Sequence, residues 1–267
     1  MTVTPGVIQL KLPRIYVPLS ELTSDRVSFP PGAARYLRDV LRLKAGDDVE
    51  VFDGGTKHLV RLARCERREV SGTILASREE EVRPEPEITL AFGCVRPGPF
   101  QEILRHGTEL GVSRFIPLIT GRTTRRGDAM KARWNLIVAS AAAQSGRSRA
   151  PLVEQPVSLA RFLDRHWDAD LKLALSVNTA AQPLLAALSA GISRVVLLVG
   201  PEGGLEPLEE KEAEAAGFLT VSVGAGVLRT ETAALASVAV IVNWYTVNRG
   251  ERGPTGTTHP VNHPRRV

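Results

Sequence analysis

The amino-acid sequence predicts an α/β protein in which a small β-rich domain precedes a larger domain built on a mainly parallel sheet. Short β-rich segments with one helix occur before residue 83, and apolar runs alternate with helical stretches after residue 88. The runs of the second part, such as 195–199, lack polar alternation, which is typical of strands covered on both faces. With 43% hydrophobic and 24% charged residues, the composition favours a folded chain over a disordered one.

The first domain is expected over residues 13–83, after an N-terminal tail of residues 1–12. Strands are predicted at 14–17, 48–52, 57–65 and 70–76, and a helix at 33–43, where Leu37, Val40 and Leu41 have the spacing i, i+3, i+4. Asp53 precedes two glycines, a hairpin signal because glycine adopts the positive φ of tight turns. Several short strands with one helix predict a small barrel.

A charged stretch with two prolines, residues 79–86, separates the two patterns, and we place a linker at 84–87. The second domain is expected at 88–248. Its predicted strands are 88–95, 115–119, 171–177, 194–199 and 219–223, and its predicted helices are 99–110, 130–145, 181–190, 207–216 and 231–247. The remaining residues, 249–267, have no periodicity and are expected to form a disordered basic tail.

The distribution of charge indicates an anionic partner. The chain has 34 Lys and Arg against 29 Asp and Glu, and residues 120–150 hold seven basic groups against one acid, Asp128. Such a segment favours a phosphate-facing surface, and a solvated basic face is the alternative. The seven are Arg122, Arg125, Arg126, Lys131, Arg133, Arg147 and Arg149.

Cysteine usage and hydropathy exclude several classes of protein. Cys65 and Cys94 are the only cysteines and form no CxxC motif, so neither a disulfide framework nor a metal site is expected. No apolar run reaches the ~18 residues that span a bilayer, and the first residues lack a signal-peptide pattern. We therefore expect a cytoplasmic protein with no bound metal and no membrane association.

Two loops each follow a predicted buried strand and open a helix. The first runs from Leu198 to Gly204 and contains three glycines beside a proline, so a ligand can approach its backbone closely; Gly203 is expected to need a positive φ. Glu206, Glu209 and a proline at the first helical position mark the following helix start. An ordinary strand-to-helix turn is the alternative for this loop alone.

The second loop, residues 223–232, leads into a helix that is apolar on nearly every side and is therefore expected to pack against the sheet or a partner subunit. Thr230 as N-cap and Glu231 in the first turn would satisfy a structural account. This structural account does not explain Arg229, because a cation at a helix N-terminus is unfavourable unless it binds an anion or another ligand. The two loops are predicted to lie at the carboxyl edge of adjacent strands, where open α/β sheets bind ligands.

Five motifs in this order resemble the RsmE family of 16S ribosomal RNA uracil-N3 methyltransferases, part of the SPOUT superfamily. They are Val40-Leu-Arg42 with Gly46-Asp47, Glu109-Leu-Gly-Val112, Ala143-Gln-Ser-Gly-Arg147, Gly200-Pro-Glu-Gly-Gly204 and Val227-Leu-Arg-Thr-Glu-Thr-Ala233. The resemblance covers residues 13–248. It implies a PUA-like barrel that holds RNA, a methyltransferase domain with a deep trefoil knot, S-adenosylmethionine as cofactor, a homodimer, and 16S ribosomal RNA within the assembled small subunit as partner.

The resemblance and the chemistry of methyl transfer assign expected roles to residues. Removal of the uracil N3 proton leaves negative charge that a cation would stabilise, so Arg229 is the first catalytic candidate, with Glu202 and Glu231 as candidate general bases. The expected cofactor-binding residues are Ser176, Val177, Asn178, Leu198, Val199, Gly200, Pro201, Gly203, Gly204, Val223, Gly224, Val227, Leu228 and Thr232. The expected RNA-binding residues are Arg14, Arg42, Arg122, Arg125, Arg126, Gln144 and Arg147.

Three alternatives remain at this point. A SPOUT-type methyltransferase of another RNA nucleotide has the same motifs, and a non-catalytic RNA-binding module would account for the barrel and the arginines. The second alternative does not explain two tight loops that end at Arg229. A nucleotide-binding oxidoreductase would need its glycine fingerprint in the first βα unit, whereas the glycines here lie in the fourth and fifth.

Overall fold

The structure, a computed structural model, describes residues 12–53, 56–79, 86–123, 131–147, 149–176, 181–224 and 226–248. The predicted basic tail at 249–267 lies outside these residues, as do 1–11 of the predicted N-terminal tail and 84–85 of the predicted linker. The described chain forms two compact units. The first comprises the residues up to 79, Leu104–Glu109 and 131–153, and the second comprises the rest. The domain boundary inferred from the sequence stays a prediction.

The first unit is built on a five-stranded sheet with the order β1-β3-β4-β5-β2. β1 runs parallel to β3, and the other pairs are antiparallel. The strands are β1 Arg14–Tyr16, β2 Arg26–Ser28, β3 Asp48–Phe52, β4 Thr56–Cys65 and β5 Val70–Glu79. Four of them were predicted; β2 has only three residues, too few to show an alternating pattern.

The helix predicted at 33–43 is shorter than expected and changes geometry. An α-helix, α1, covers Pro31–Arg35, and a π-helical turn follows at Tyr36–Val40 because the Leu41 N–H donates to the Tyr36 carbonyl five residues back, at 2.9 Å. Leu37 is fully buried, but Val40 is 63% exposed, so the predicted apolar face does not persist. A left-handed residue, Arg42, with φ +56°, ends the segment.

The second unit contains a parallel sheet, which confirms the predicted α/β class with a mainly parallel sheet. Its strand order is β11-β13-β10-β12-β6-β7, and β9 pairs with β7. The strands are β6 Glu87–Gly93, β7 Val112–Ile119, β9 Val157–Ser158, β10 Leu171–Leu175, β11 Gln182–Pro183, β12 Arg194–Val199 and β13 Leu219–Ser222; a short strand of the first unit, β8, covers Leu152–Val153. Leu90, Phe92, Leu197 and Leu198 are fully buried, as their unbroken apolar runs indicate.

Helices follow most of the strands. They are α2 Pro97–Leu110, α3 Lys131–Ser145, α4 Leu159–Leu163, α5 Leu184–Ala187, α6 Pro207–Ala215 and α7 Thr230–Asn248. The prediction of a helix over 181–190 is wrong in extent, because Pro183 cannot donate a backbone hydrogen bond and stays in a strand. The five residues of α4 are too few to show helical periodicity, and this helix was not predicted.

The turn that precedes β12 is held by a carboxylate. Asp170 Oδ2 accepts hydrogen bonds from the backbone N–H of Ser193 and Arg194 at 2.9 and 2.8 Å, and from the Ser193 hydroxyl at 3.0 Å. The two backbone N–H bonds and the hydroxyl bond favour the ionised form and lower the pKa of Asp170 from 3.8 to about 2.

We expect Asp170→Asn to lower the free energy of unfolding at pH 7 by about 1 kcal/mol, because an amide is a weaker acceptor than a carboxylate. A carboxyl group with a depressed folded pKa stabilises the protein above its unfolded pKa. This contribution is lost as the pH falls from 3.8 towards about 2. Urea unfolding should therefore show a difference between variant and wild type that shrinks over this range. The control Asp164→Asn alters an exposed side chain with no hydrogen bond to the described residues and should match wild type throughout.

Candidate functional site

The two predicted ligand loops meet at the carboxyl edge of the sheet in the second unit. The first follows β12 and the second follows β13, and the Thr230 hydroxyl joins them by donating to the Gly200 carbonyl at 3.1 Å. The prediction that these strands are adjacent is wrong. β10 lies between them, and Ser176 at its end donates its backbone N–H to Val221 at 3.0 Å. Three strand ends therefore contribute to the site.

Close backbone contacts shape the first loop. A Cβ atom on Gly93, the last residue of β6, would lie 2.4 Å from the Pro201 nitrogen, and one on Gly200 would lie 2.9 Å from the Leu205 nitrogen. The expected positive φ is not at Gly203 but at the next residue, Gly204, with φ +72°. The role of Gly93 was not predicted, because its partner Pro201 lies 108 positions later in the chain. Only the pairing of β6 with β12 brings the two residues together.

The turn that follows β7, residues 120–123, is hydrogen-bonded to the same loop. The Arg122 guanidinium donates to the Gly203 carbonyl at 2.7 Å. The Glu209 carboxylate accepts the Gly121 N–H on one oxygen and the Glu206 N–H on the other, each at 2.8 Å. The predicted helix start at Glu206 is confirmed, since it is the N-cap of α6. The predicted phosphate ligand Arg122 thus also supports the loop backbone.

Loss of the Arg122 contact with the first loop should lower cofactor affinity even when no RNA is present. Arg122→Ala removes a charge-assisted hydrogen bond of the kind that contributes about 1.5–3 kcal/mol, so we expect the affinity for the cofactor that the resemblance implies, S-adenosylmethionine, to fall by about tenfold or more in calorimetric titration. The control is Arg161→Ala, at an exposed guanidinium with no partner among the described residues. If both variants bind the cofactor like wild type, the clamp has no influence on the loop.

The second loop differs from the expectation at the helix start. Thr230 is not the N-cap but the first residue of α7, since the Ala233 N–H donates to the Arg229 carbonyl at 2.8 Å. The Thr230 hydroxyl therefore bonds to Gly200 instead of to its own helix. Arg229 is exposed, and its side chain forms no ion pair or hydrogen bond with any residue that the structure describes. This guanidinium is available to a ligand.

The other expected site residues differ in exposure. Leu198 and Val199 are buried in β12, Gly224 has φ +75°, Val227 is 81% exposed, and Glu231 is half-buried in the first turn of α7. The remaining expected residues that are described, Glu202, Val223, Leu228 and Thr232, flank these positions. Val177, Asn178, Arg125 and Arg126 lie outside the described residues. The roles of all these residues stay predictions.

Four expected RNA-binding residues lie in the first unit with different surroundings. Arg14 packs over the Phe52 ring at 4.6 Å and donates to the Arg147 carbonyl at 3.1 Å. Arg147 in turn donates to the Thr108 carbonyl at 2.9 Å. These bonds give both arginines a structural role in the first unit. Arg42, at its left-handed position, and Gln144 are exposed.

No cluster of three or more His, Cys, Asp or Glu side chains that could hold a metal ion occurs within the described ranges. Among the helices described, none is long and apolar enough to cross a membrane.

Family models match both parts of the chain. One for an RNA methyltransferase domain matches residues 83–242, and one for an RNA methyltransferase PUA domain matches residues 29–75. The mainly parallel sheet with its edge loops, preceded by a PUA-like domain, therefore defines an RNA methyltransferase.

Curated relatives and solved structures are more specific. The chain is 33% identical over 232 residues to ribosomal RNA small subunit methyltransferase E of Synechocystis sp., covering 85% of this chain and 76% of the relative. The Bacillus subtilis enzyme of that name is 27% identical over 250 residues, covering 87% and 98%. The chain belongs to the ribosomal RNA small subunit methyltransferase E family.

Two similar structures contain the cofactor. That of the Neisseria gonorrhoeae ribosomal RNA small subunit methyltransferase E bound to S-adenosyl methionine has a TM-score of 0.77 and 33% identity, covering 88% of this chain and 98% of that one. The structure of a putative Legionella pneumophila methyltransferase in complex with bound cofactor SAM has a TM-score of 0.80 and 29% identity, covering 87% and 97%.

Proposed function

We propose that this protein transfers a methyl group from S-adenosylmethionine to N3 of a specific uridine in 16S ribosomal RNA. The observation that carries the proposal is the pair of joined loops at the carboxyl edge of the sheet, with Arg229 unpaired among the described residues beside the start of α7. Family membership and the two cofactor-bound relatives support it. The loops' passage through a deep trefoil knot is part of the proposal.

The loops fit S-adenosylmethionine by their open backbone. At Gly204 and Gly226, one in each loop, nothing in the described part of the chain lies within 4 Å of the position that a Cβ would take. The backbone of each loop is therefore open to a ligand at that residue. The predicted cofactor residues of the two loops would hold it, and the bound cofactor supplies an electrophilic methyl group on a sulfonium.

The protein's part in the reaction is to orient the uracil and to stabilise charge. N3 must lose its proton as the new N–C bond forms, and the C–S bonding electrons remain on sulfur. Arg229 would donate hydrogen bonds to the uracil oxygen on which negative charge develops. Glu202, which is exposed, and Glu231, which is half-buried, are the candidate acceptors of the N3 proton.

The direct test combines methylation with nucleoside analysis. Small subunits from a strain that lacks the enzyme are incubated with the protein and labelled S-adenosylmethionine, and the digested RNA is separated by chromatography and mass spectrometry. We expect 3-methyluridine in 16S RNA. A label on another nucleotide would favour the SPOUT methyltransferase of different specificity. RNA binding without measurable cofactor binding would favour the non-catalytic RNA-binding module.

We also propose that the protein is a homodimer with α7 in its interface. This helix is apolar, yet the surroundings that the structure describes leave Leu235, Val242 and Trp244 half-buried and Val247 70% exposed. Burying such a face against a second copy is favourable. Sedimentation at micromolar concentration should give a mass twice that of the 28.9 kDa chain. Trp244→Glu should shift the measured mass towards that of the monomer. A wild-type protein that sediments only at 28.9 kDa would exclude the dimer.

A further inference from the structure

A cavity of about 550 Å³ lies in the first unit between β1, α1 and α3. Its lining includes Tyr16 and Tyr36 on one side and Leu136, Ser140 and Gln144 of α3 on the other. Its size falls in the range of pockets that bind small ligands. The lining includes no residue of the two loops at the carboxyl edge, so the cavity is separate from the proposed cofactor site.

The cavity has apolar walls and unused polar groups. Tyr36 is 44% and Leu136 57% exposed, and both line the cavity, so its walls present large apolar surfaces to solvent. The Ser140 hydroxyl and the Gln144 amide form no hydrogen bond with the residues that the structure describes. A planar ligand with hydrogen-bonding groups on its edge would satisfy both kinds of surface.

The charge beside the cavity identifies the class of ligand. Leu136, Ser140 and Gln144, spaced by four residues, form a ridge on α3, and a second cavity of about 320 Å³ lies on its other side. Arg105 and Arg133 line that second cavity, and neither has an ion-pair or hydrogen-bond partner among the described residues. Its one carboxylate, Glu109, is 3.2 Å from His106. Two unpaired guanidinium groups next to an apolar slot suit phosphates that flank a base.

The backbone that carries Tyr36 is irregular. Tyr36 opens the π-helical turn, and Arg42 six residues later has φ +56°, the one positive φ at a non-glycine residue within the described ranges. A π-helical turn and a left-handed residue both cost free energy, so they are retained where surrounding contacts hold them in place, often at functional sites.

We propose that the 550 Å³ cavity binds one unstacked nucleobase of the RNA substrate, outside the methyl-transfer site. Tyr36 stacks on the base, Gln144 hydrogen-bonds its edge, and Arg105 and Arg133 contact the adjoining phosphates. Recognition of splayed bases on aromatic side chains is the usual route to sequence specificity in single-stranded RNA. The proposal rests on RNA being the substrate, and it adds a contact that selects the site of methylation.

The test compares binding of an in vitro 16S RNA transcript to the full-length protein and its variants. Stacking contributes ~1–3 kcal/mol per base, so Tyr36→Ala should weaken binding by about 5- to 150-fold with an unchanged salt dependence. Tyr36→Phe keeps the ring and should bind nearly like wild type. Arg133→Ala should lower the slope of log affinity against log salt by about one. The control, Leu208→Ala, changes an exposed apolar residue of α6.

Three outcomes would overturn the proposal. In the first, Tyr36→Ala binds the transcript as well as Leu208→Ala does. In the second, Tyr36→Phe loses as much affinity as Tyr36→Ala, so the ring does not stack. In the third, Tyr36→Ala changes the sedimentation of the protein and not its RNA affinity, so the cavity contacts another protein chain. Calorimetry with S-adenosylmethionine separates this failure from failure of the proposed function, since Tyr36→Ala should retain wild-type cofactor affinity.

Discussion

Arg229→Ala should lower the rate of methyl transfer at saturating RNA and cofactor by about 100-fold or more, with little change in RNA affinity. The Arg229 guanidinium is exposed and has no partner among the described residues, so it has no internal anion to neutralise. Its proposed partner is the negative charge that appears on uracil only as the N3 proton leaves. An interaction made only in the transition state changes the maximal rate and not the binding of the ground state.

Single-turnover kinetics with saturating RNA and cofactor would measure this effect. Arg161→Ala, which removes an exposed arginine of the same unit, is the control and should react at the wild-type rate. If Arg229→Ala weakens RNA binding but reacts normally once saturated, Arg229 positions the RNA, and its assignment as a catalytic residue is wrong.

Gly93→Ala should weaken S-adenosylmethionine binding by at least about 100-fold, because the first loop cannot keep its position. The added Cβ would lie 2.4 Å from the Pro201 nitrogen, 2.6 Å from its Cδ and 2.8 Å from its Cα. These atoms belong to a proline ring and its backbone, which cannot rotate away as a flexible side chain would. The strain must move residues 200–204, including the carbonyls that bond to Thr230 and Arg122.

A nearby glycine provides a matched control. Gly98 lies in the first turn of α2, and nothing in the described structure comes within 4 Å of its Cβ position. Gly98→Ala should therefore retain cofactor affinity in calorimetric titration, and alanine is the better helix former. Thermal unfolding of both variants would separate a displaced loop from a misfolded domain. Wild-type affinity in a folded Gly93→Ala variant would show that Pro201 does not fix the site.

Local patterns predicted the framework of the site well. The strand at 194–199, the N-cap at Glu206 and the apolar helix after Arg229 depend on residues close in sequence, and the structure has all three. The insertion of β10 between the loop-bearing strands was not predictable, because strand order depends on long-range crossovers. The contacts of Gly93, Arg122 and Thr230 join residues that are far apart in sequence, and periodicity carries no information about them.

The clamped first loop has a consequence for the order in which the substrates bind. Bonds from Arg122 and Thr230 hold this loop, and Glu209 bonds to Gly121 in the turn that carries Arg122, without help from any nucleic acid. Little conformational entropy is then left to lose when a small ligand binds it. A binding order in which RNA must bind first would require RNA to order the loop. Because these bonds already order the loop, RNA is not needed for that purpose. The free protein should therefore bind S-adenosylmethionine in the absence of RNA, so product inhibition should follow a random order or an order in which the cofactor binds first.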